Sequence, residues 1–219
     1  PAVAADARLS IWRGDITTLA ADAIVNAANS QMLGCWQPGH ACIDNAIHTF
    51  AGVQLRLECA ALMRAQGHKE LTGCAKVTAA YNLPARYVIH TVGPIVSSAP
   101  TARDDELLAR CYTSCLDAAA ERGCATVAFC CISTGVFGFP QERAARVTVA
   151  TVRAWLDARE ARMVAMPADA AGGVSAADDP ARMASAPTSA DSGSRATIPR
   201  VIFNVFTARD EEIYHDILD

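Results

Sequence analysis

Apolar residues fall along the chain in two rhythms. Unbroken or alternating short runs predict strands. Leu9 to Trp12 alternates and leads into Arg13-Gly14-Asp15, a strand leaving into a turn. Ala23 to Ala27 is a short buried strand. Lys76 to Ala80 and Tyr87 to Val92 are two more, the second closing at Gly93-Pro94. Thr126 to Ile132 and Val201 to Phe206 complete the set. Helical spacing runs over Asp44 to Ala51 and again over Gly52 to Gln66, where Leu55, Cys59 and Leu62 share a face and Gly67 stops the helix. Asp104 to Arg122 is a strong helix, with acids opposing the dipole in its first turn and Gly123 after its last. Gln141 to about Ala158 carries Val149, Val152, Trp155 and Leu156 on one stripe, and Glu211 to Leu218 closes the chain.

Strands alternating with helices imply an α/β sheet covered on both faces. Ligands of such sheets sit at the carboxyl ends of the strands. Three informative loops fall at such ends: the turn at Gly14-Asp15, the loop after Ala23 to Ala27, and the loop after Thr126 to Ile132. Ala165 to Pro199 breaks the pattern. It holds Ala, Ser, Gly, Pro and Asp, no aromatic residue and few large apolar ones. Such a segment buries too little to offset the entropy of ordering it, and is expected to be a disordered insertion in a surface connection. Residues 1–7 read as an extension, leaving one domain over 8–219.

The length, 219 residues and 23.1 kDa, suits one domain with an insertion. Net charge is -4 with no Lys/Arg run, which argues against a sequence-independent grip on nucleic acid or on an anionic membrane. No apolar run reaches membrane-spanning length. The N-terminus lacks the basic and apolar regions of a secretory signal. It also begins without Met, so an earlier targeting segment stays open. Nine cysteines in a chain with a large core point to a reducing compartment, the cytoplasm, rather than to a secreted disulfide framework. Most should fill the core as small apolar residues: Cys111 and Cys115 on the stripe with Leu107 and Leu108, Cys130 and Cys131 in a strand. A monomer is expected.

Candidate chemistry is concentrated between Asn26 and His48. Asn26 and Asn29 end an apolar run, and Cys35, His40 and Cys42 follow within eight residues, in a loop that Gly34, Pro38 and Gly39 keep irregular. Two thiolates and an imidazole are good zinc ligands. Three ligands and an open position would be catalytic. A fourth from Cys59, Cys74 or His48 would make a closed structural site. The remaining alternative is three residues unrelated to one another and to any metal. Asp44 and His48, four apart on a helix, read either as a proton-transfer pair or as a helix-start acid with a satisfied histidine. His90 reads as a buried hydrogen-bonded residue. Asp15 reads as a turn residue or an acceptor for an exocyclic amine. Ser133 to Phe139, rich in Gly and hydroxyls between a strand and a helix start, reads either as an anion-sized nest of backbone N–H groups or as a tight turn. It is no P-loop, because the Lys is missing.

Together these segments resemble the macrodomain family of ADP-ribose-binding modules. The matching stretches are GDIT at 14–17, IVNAANSQMLG at 24–34, IDNAIHTFAG at 43–52, VIHTVGP at 88–94, ISTGVFGFP at 132–140 and VIFNVFTARDEEIY at 201–214. Where the family has a glycine run, this chain reads CWQPGHAC, similar to the zinc-dependent branch. The resemblance implies a three-layer αβα fold around a mixed, roughly six-stranded sheet. It implies hydrolytic release of ADP-ribose from mono-ADP-ribosylated protein, most readily from an ester to Asp or Glu. Residue by residue, it implies that Asp15 takes the adenine amine beside the Ile16 backbone and that Phe206 lies near the adenine. Ser133, Thr134, Gly135, Val136 and Phe137 would wrap the diphosphate, with Phe137 near the distal ribose. Asn29 would contact that ribose, Asp44 would position a water or aid proton transfer, and Cys35, His40 and Cys42 would hold zinc. The alternatives are deacetylation of O-acetyl-ADP-ribose and ADP-ribose reading without turnover.

Overall fold

The computed structural model describes residues 6–165 and 198–219, together with the backbone of Ala2 and Val3. Seven strands form one sheet: β1 (Ala2–Val3), β2 (Leu9–Arg13), β3 (Ala23–Ala28), β4 (Ala75–Ala79), β5 (Tyr87–Val92), β6 (Thr126–Phe129) and β7 (Arg200–Val205). Their order is β1-β2-β7-β6-β3-β5-β4. The five central strands run parallel, and β1 and β4 are antiparallel edges. Six strands are those the hydrophobic pattern predicts. The two-residue β1 lies within the expected extension and carries no pattern of its own.

Among the described residues five helices cover the sheet: α1 (Ile43–Ala51), α2 (Val53–Gln66), α3 (Ala102–Glu121), α4 (Gln141–Ala165) and α5 (Ala208–Leu218). α1 and α2 pack together on one side, while α3, α4 and α5 lie side by side in the other layer. Ring pairs fasten that second layer: Tyr112 on Phe129 at 4.9 Å and Tyr214 on Phe203 at 5.1 Å between centroids. Val25, Val88, Val127 and Val201 are fully buried, as expected of strands covered on both faces. At the amino ends of the strands the Asp22 carboxylate accepts hydrogen bonds from the Ala125 and Thr126 amides at 2.9 and 3.0 Å, tying β3 to β6.

Several boundaries depart from the sequence reading by one to a few residues, as at α5, which starts at Ala208 rather than Glu211. β6 stops at Phe129, not Ile132, and β7 stops at Val205, which leaves Phe206 outside the sheet before the Thr207 cap of α5. α4 runs to Ala165. The expected insertion, apart from Ala165, Ile198 and Pro199, lies outside the described residues. No described helix is long and apolar enough to cross a membrane.

The shortness of β6 has a consequence. It pairs with β3 only at Ala23↔Val127 and Ile24↔Ala128, and the two strands then part. From β3 the chain goes on to β4 and β5 on one side, then crosses to β6 and β7 on the other. The parting therefore falls where the strand order reverses, the place where ligands of open α/β sheets bind.

Candidate active site at the carboxyl edge of the sheet

Four loops leave the carboxyl ends of four neighbouring parallel strands. Along the edge they run Asp15 after β2, Phe206 after β7, Ser133 to Phe139 after β6, and Asn29 with the Cys/His loop after β3. Three strand spacings make a line of roughly 14 Å.

At the β2 end, Asp15 caps a single 3-10 turn, Ile16–Thr18. Its Oδ1 accepts from the Thr17 amide at 3.0 Å and the Thr17 hydroxyl at 2.7 Å, which leaves Oδ2 for a ligand. Asn204 on β7, which the sequence did not single out, fixes this turn by donating to the Gly14 carbonyl at 2.9 Å. Phe206 stands exposed next to it.

The loop after β6 is a shaped turn. The amides of Gly138 and Phe139 bond back to the carbonyls of Gly135 and Ser133, both at 3.0 Å. Those of Gly135, Val136 and Phe137 have no acceptor among the described residues, as an anion-binding nest requires. Ser133 has φ +66°, a left-handed conformation rare outside glycine, and its buried hydroxyl has no partner among the described residues. Two glycines allow this packing. At Gly138 (φ +71°) a Cβ would come within 2.6 Å of the Val96 carbonyl, and at Gly93 it would overlap the Ser133 hydroxyl.

At the β3 end the structure brings Cys35, His40 and Cys42 together, their donor atoms all within 4.8 Å of one another. Cys35 Sγ and His40 Nδ1 are 3.3 Å apart. Cys42 is the N-cap of α1, its sulfur accepting from the Asn45 amide at 3.4 Å, so the helix dipole favours its thiolate. Burial pushes the Cys42 thiol up, and Cys35 beside it adds to this. None of the sequence-level candidates for a fourth ligand joins the triad: His48 and Cys59 group with His90 instead. Tetrahedral zinc, with bonds of about 2.0–2.3 Å, sets its donors roughly 3.5 Å apart. The triad's donors lie close enough to share such an ion, and no fourth Cys, His, Asp or Glu groups with them among the described residues.

Asn29 and Asp44 meet beside the triad. The Asn29 amide donates to the Gly34 carbonyl at 3.0 Å and to Asp44 Oδ2 at 3.3 Å, while its oxygen accepts from the Gln31 amide at 2.9 Å. Asp44 is buried. Burial pushes its carboxyl up, opposed by the Asn26 hydrogen bond at 2.8 Å and the Arg56 charge. Asn26 is wholly buried and sits opposite His90 in the β3–β5 ladder. Its NH2 group donates to both Asp44 Oδ1 and His90 Nδ1, so it belongs to the support of the site. That assigns the His90 proton to Nε2, which donates to Thr78 Oγ1 at 2.9 Å. Cys59 Sγ lies 3.7 Å from the same nitrogen, its thiol pushed up to about 12 by burial. The sealed His48–Cys59–His90 group is therefore a neutral packing cluster. His48 is not a clear proton-transfer partner of Asp44, lying at 3.6 Å with no hydrogen bond.

Burial lowers His48 to about 4, with the Arg56 cation adding to the effect, and lowers His90 to about 3. Both resist protonation when folded, whereas the unfolded chain takes up protons near pH 6.5. Stability is thus full above about pH 6.5 and falls as pH drops through it towards the folded values. The loss at pH 5 is at most about 2 kcal/mol per histidine. Asp44 runs the other way, so His90→Gln isolates the histidine share. We expect the urea midpoint of metal-free protein to fall between pH 7.5 and 5, and less steeply in His90→Gln. Equal slopes for the two proteins would contradict this.

This is a three-layer α/β module whose strands part at the strand-order reversal, with a loop beside the parting that gathers two cysteines and a histidine. The Macro domain family profile matches residues 25–148, and the chain belongs to that family. A protein named protein-ADP-ribose hydrolase from Treponema medium is 51% identical over 95% of this chain. One of the same name from Staphylococcus aureus strain MSSA476 is 45% identical over 94% of it. The chain spans 66% and 64% of the length of these relatives. Among solved structures, the Oceanobacillus iheyensis macrodomain with ADP has a TM-score of 0.73 at 30% identity, over 96% of this chain and 89% of that one. The Trypanosoma brucei macrodomain in complex with ADP-ribose has a TM-score of 0.69 at 30% identity, over 97% and 69%.

Proposed function

We propose that this chain is a zinc-dependent hydrolase that removes ADP-ribose from mono-ADP-ribosylated protein, most readily from an Asp or Glu ester. Relatives named as protein-ADP-ribose hydrolases support the hydrolase class. The observation that carries the zinc reading is the Cys35–His40–Cys42 triad, placed next to Asn29 at one end of the line of binding loops. A linear ligand laid along that line has its adenine at Asp15, the Ile16 amide and Phe206. Its diphosphate lies on the free amides of Gly135 to Phe137, and its distal ribose at Asn29.

Each end has a separate task. The Asn29 amide nitrogen is fully engaged, so its oxygen keeps a fixed direction and one remaining lone pair to accept from a ribose hydroxyl. Asp44, buried beneath Asn29, positions it and thereby the ribose. The phosphate loop and the adenine turn hold the substrate in place, which turns a diffusional encounter into a positioned one. Cys35, His40 and Cys42 would hold zinc, which would supply Lewis acidity and favour developing negative charge on oxygen at the distal ribose.

Metal analysis and linkage assays test the proposal together. We expect about one zinc per chain, set by one three-ligand cluster. Release from Asp/Glu-linked protein should be faster than from Ser- or Arg-linked protein or from O-acetyl-ADP-ribose. Zinc-loaded protein that binds ADP-ribose but releases none from any substrate would be a reader. Faster turnover of the free acetyl ester would make it a deacetylase.

A further inference from the structure

The loop that carries the metal ligands has no helix or strand between Asn29 and Ile43. Such a segment keeps three donors in register only if side chains from rigid elements hold it. Two of these holds are hydrogen bonds: Asn29 to the Gly34 carbonyl and Asn45 to the His40 carbonyl, both 3.0 Å. Between them lies the stretch with Cys35 and Trp36, which neither amide reaches.

Trp36 is 62% exposed, yet its ring is not free. The guanidinium of Arg56, from α2, lies 4.5 Å from its centroid. The same side chain fills the space where a Cβ would stand on the other neighbour of Cys35. Gly34 has φ +81°, and a Cβ there would come within 3.1 Å of Arg56 Nη2 and 3.0 Å of the His48 ring. Arg56 Nε is buried with no hydrogen-bond partner among the described residues. Stacking and close packing against the loop therefore hold this head group in place.

We infer that Arg56 and Trp36 form a latch that positions Cys35 and so sets the affinity of the triad for its metal. This rests on the zinc reading proposed above. The latch grips the loop on both sides of one ligand from a helix that supplies no ligand. It needs a flat cation, because a guanidinium stacks on an indole face over its whole plane and an ammonium meets it at a point. Residues that orient metal ligands typically change affinity by about 10–100-fold when removed.

The test uses the whole chain with Trp36→Ala, Trp36→Phe, Arg56→Met and Arg56→Lys. Zinc affinity is read by competition with a chromogenic chelator. Amide hydrogen exchange across residues 34–42 is read in metal-free protein, with ADP-ribose affinity and melting temperature alongside. Trp36→Ala and Arg56→Met should weaken zinc binding by about tenfold and speed exchange in the loop, with ADP-ribose affinity changed less than about twofold, since the adenine and diphosphate loops lie on other strands. Trp36→Phe should restore most of the affinity, and Arg56→Lys should behave like Arg56→Met. Unchanged zinc affinity in both truncations would overturn the latch. So would a parallel fall in zinc binding, ADP-ribose binding and melting temperature, which marks a merely structural pair. Should the wild-type chain take no zinc, the metal reading falls by itself. The exchange rates then decide the latch separately, and unchanged exchange overturns it.

Discussion

Cys35→Ala is expected to give a folded protein that still binds ADP-ribose and releases almost none of it from modified protein. Cys35 is a better choice than Cys42, whose sulfur also caps α1, so that its loss would mix a helix defect with a metal defect. Two remaining ligands hold zinc poorly, and a metal's stabilisation of transition-state charge is worth several kcal/mol, so turnover should fall by at least about a hundredfold. Affinity should change by no more than about threefold, because the Asp15 turn and the Ser133 to Phe139 loop lie on β2 and β6 and share no residue with the triad. A purely structural zinc gives another pattern: lower melting temperature, with binding and turnover falling together. A reader shows no turnover even in the intact protein. Hydrolysis, affinity and melting temperature measured on one sample separate the three. Undiminished hydrolysis by a zinc-free sample would end the metal mechanism.

The sequence was most legible where a residue type has few uses. The two cysteines and the histidine of the Gly/Pro loop do come together in the structure, and the glycine- and hydroxyl-rich segment between strand and helix does fold as a tight turn. The supporting role of Asn26 was not legible. In sequence it is one of two amides at a strand end, and only the β3–β5 register, which sets it opposite His90, shows that it is buried. Arg56 was illegible for another reason. Helical periodicity leaves it off the buried stripe, so it reads as a solvated charge, and the partner that fixes it comes from an irregular loop with no period to read. The early end of β6 was hidden because Cys130, Cys131 and Ile132 are apolar enough to continue a strand. They leave the ladder because the chain turns there into the loop from Ser133 to Phe139, whose packing Gly93 permits and whose first residue is left-handed.

That packing can be tested at Gly93. A methyl group there would overlap the Ser133 hydroxyl and lie 2.8 Å from Ile132 Cγ2, so either β5 or the loop has to move. β5 is held on both sides, by β3 and by β4, whereas the loop is held at Ser133 by a backbone already in the left-handed region. The loop is therefore what gives way. Overpacking of this kind typically costs about 1–3 kcal/mol of stability. The larger effect is expected on the ligand, because on the proposed binding mode the three free amides of Gly135 to Phe137 hold the diphosphate and would lose their geometry together. Gly93→Ala should weaken ADP-ribose binding by on the order of a hundredfold, as loss of about two charge-assisted hydrogen bonds requires. It should leave zinc content unchanged, since the triad hangs from β3. Gly135→Ala is the steric control: its Cβ would meet nothing within 4 Å, so its melting temperature should match the wild type whatever happens to affinity. Wild-type affinity in Gly93→Ala would show that the diphosphate does not lie on the loop after β6, and the alignment of adenine, diphosphate and ribose along the sheet edge would have to be redrawn.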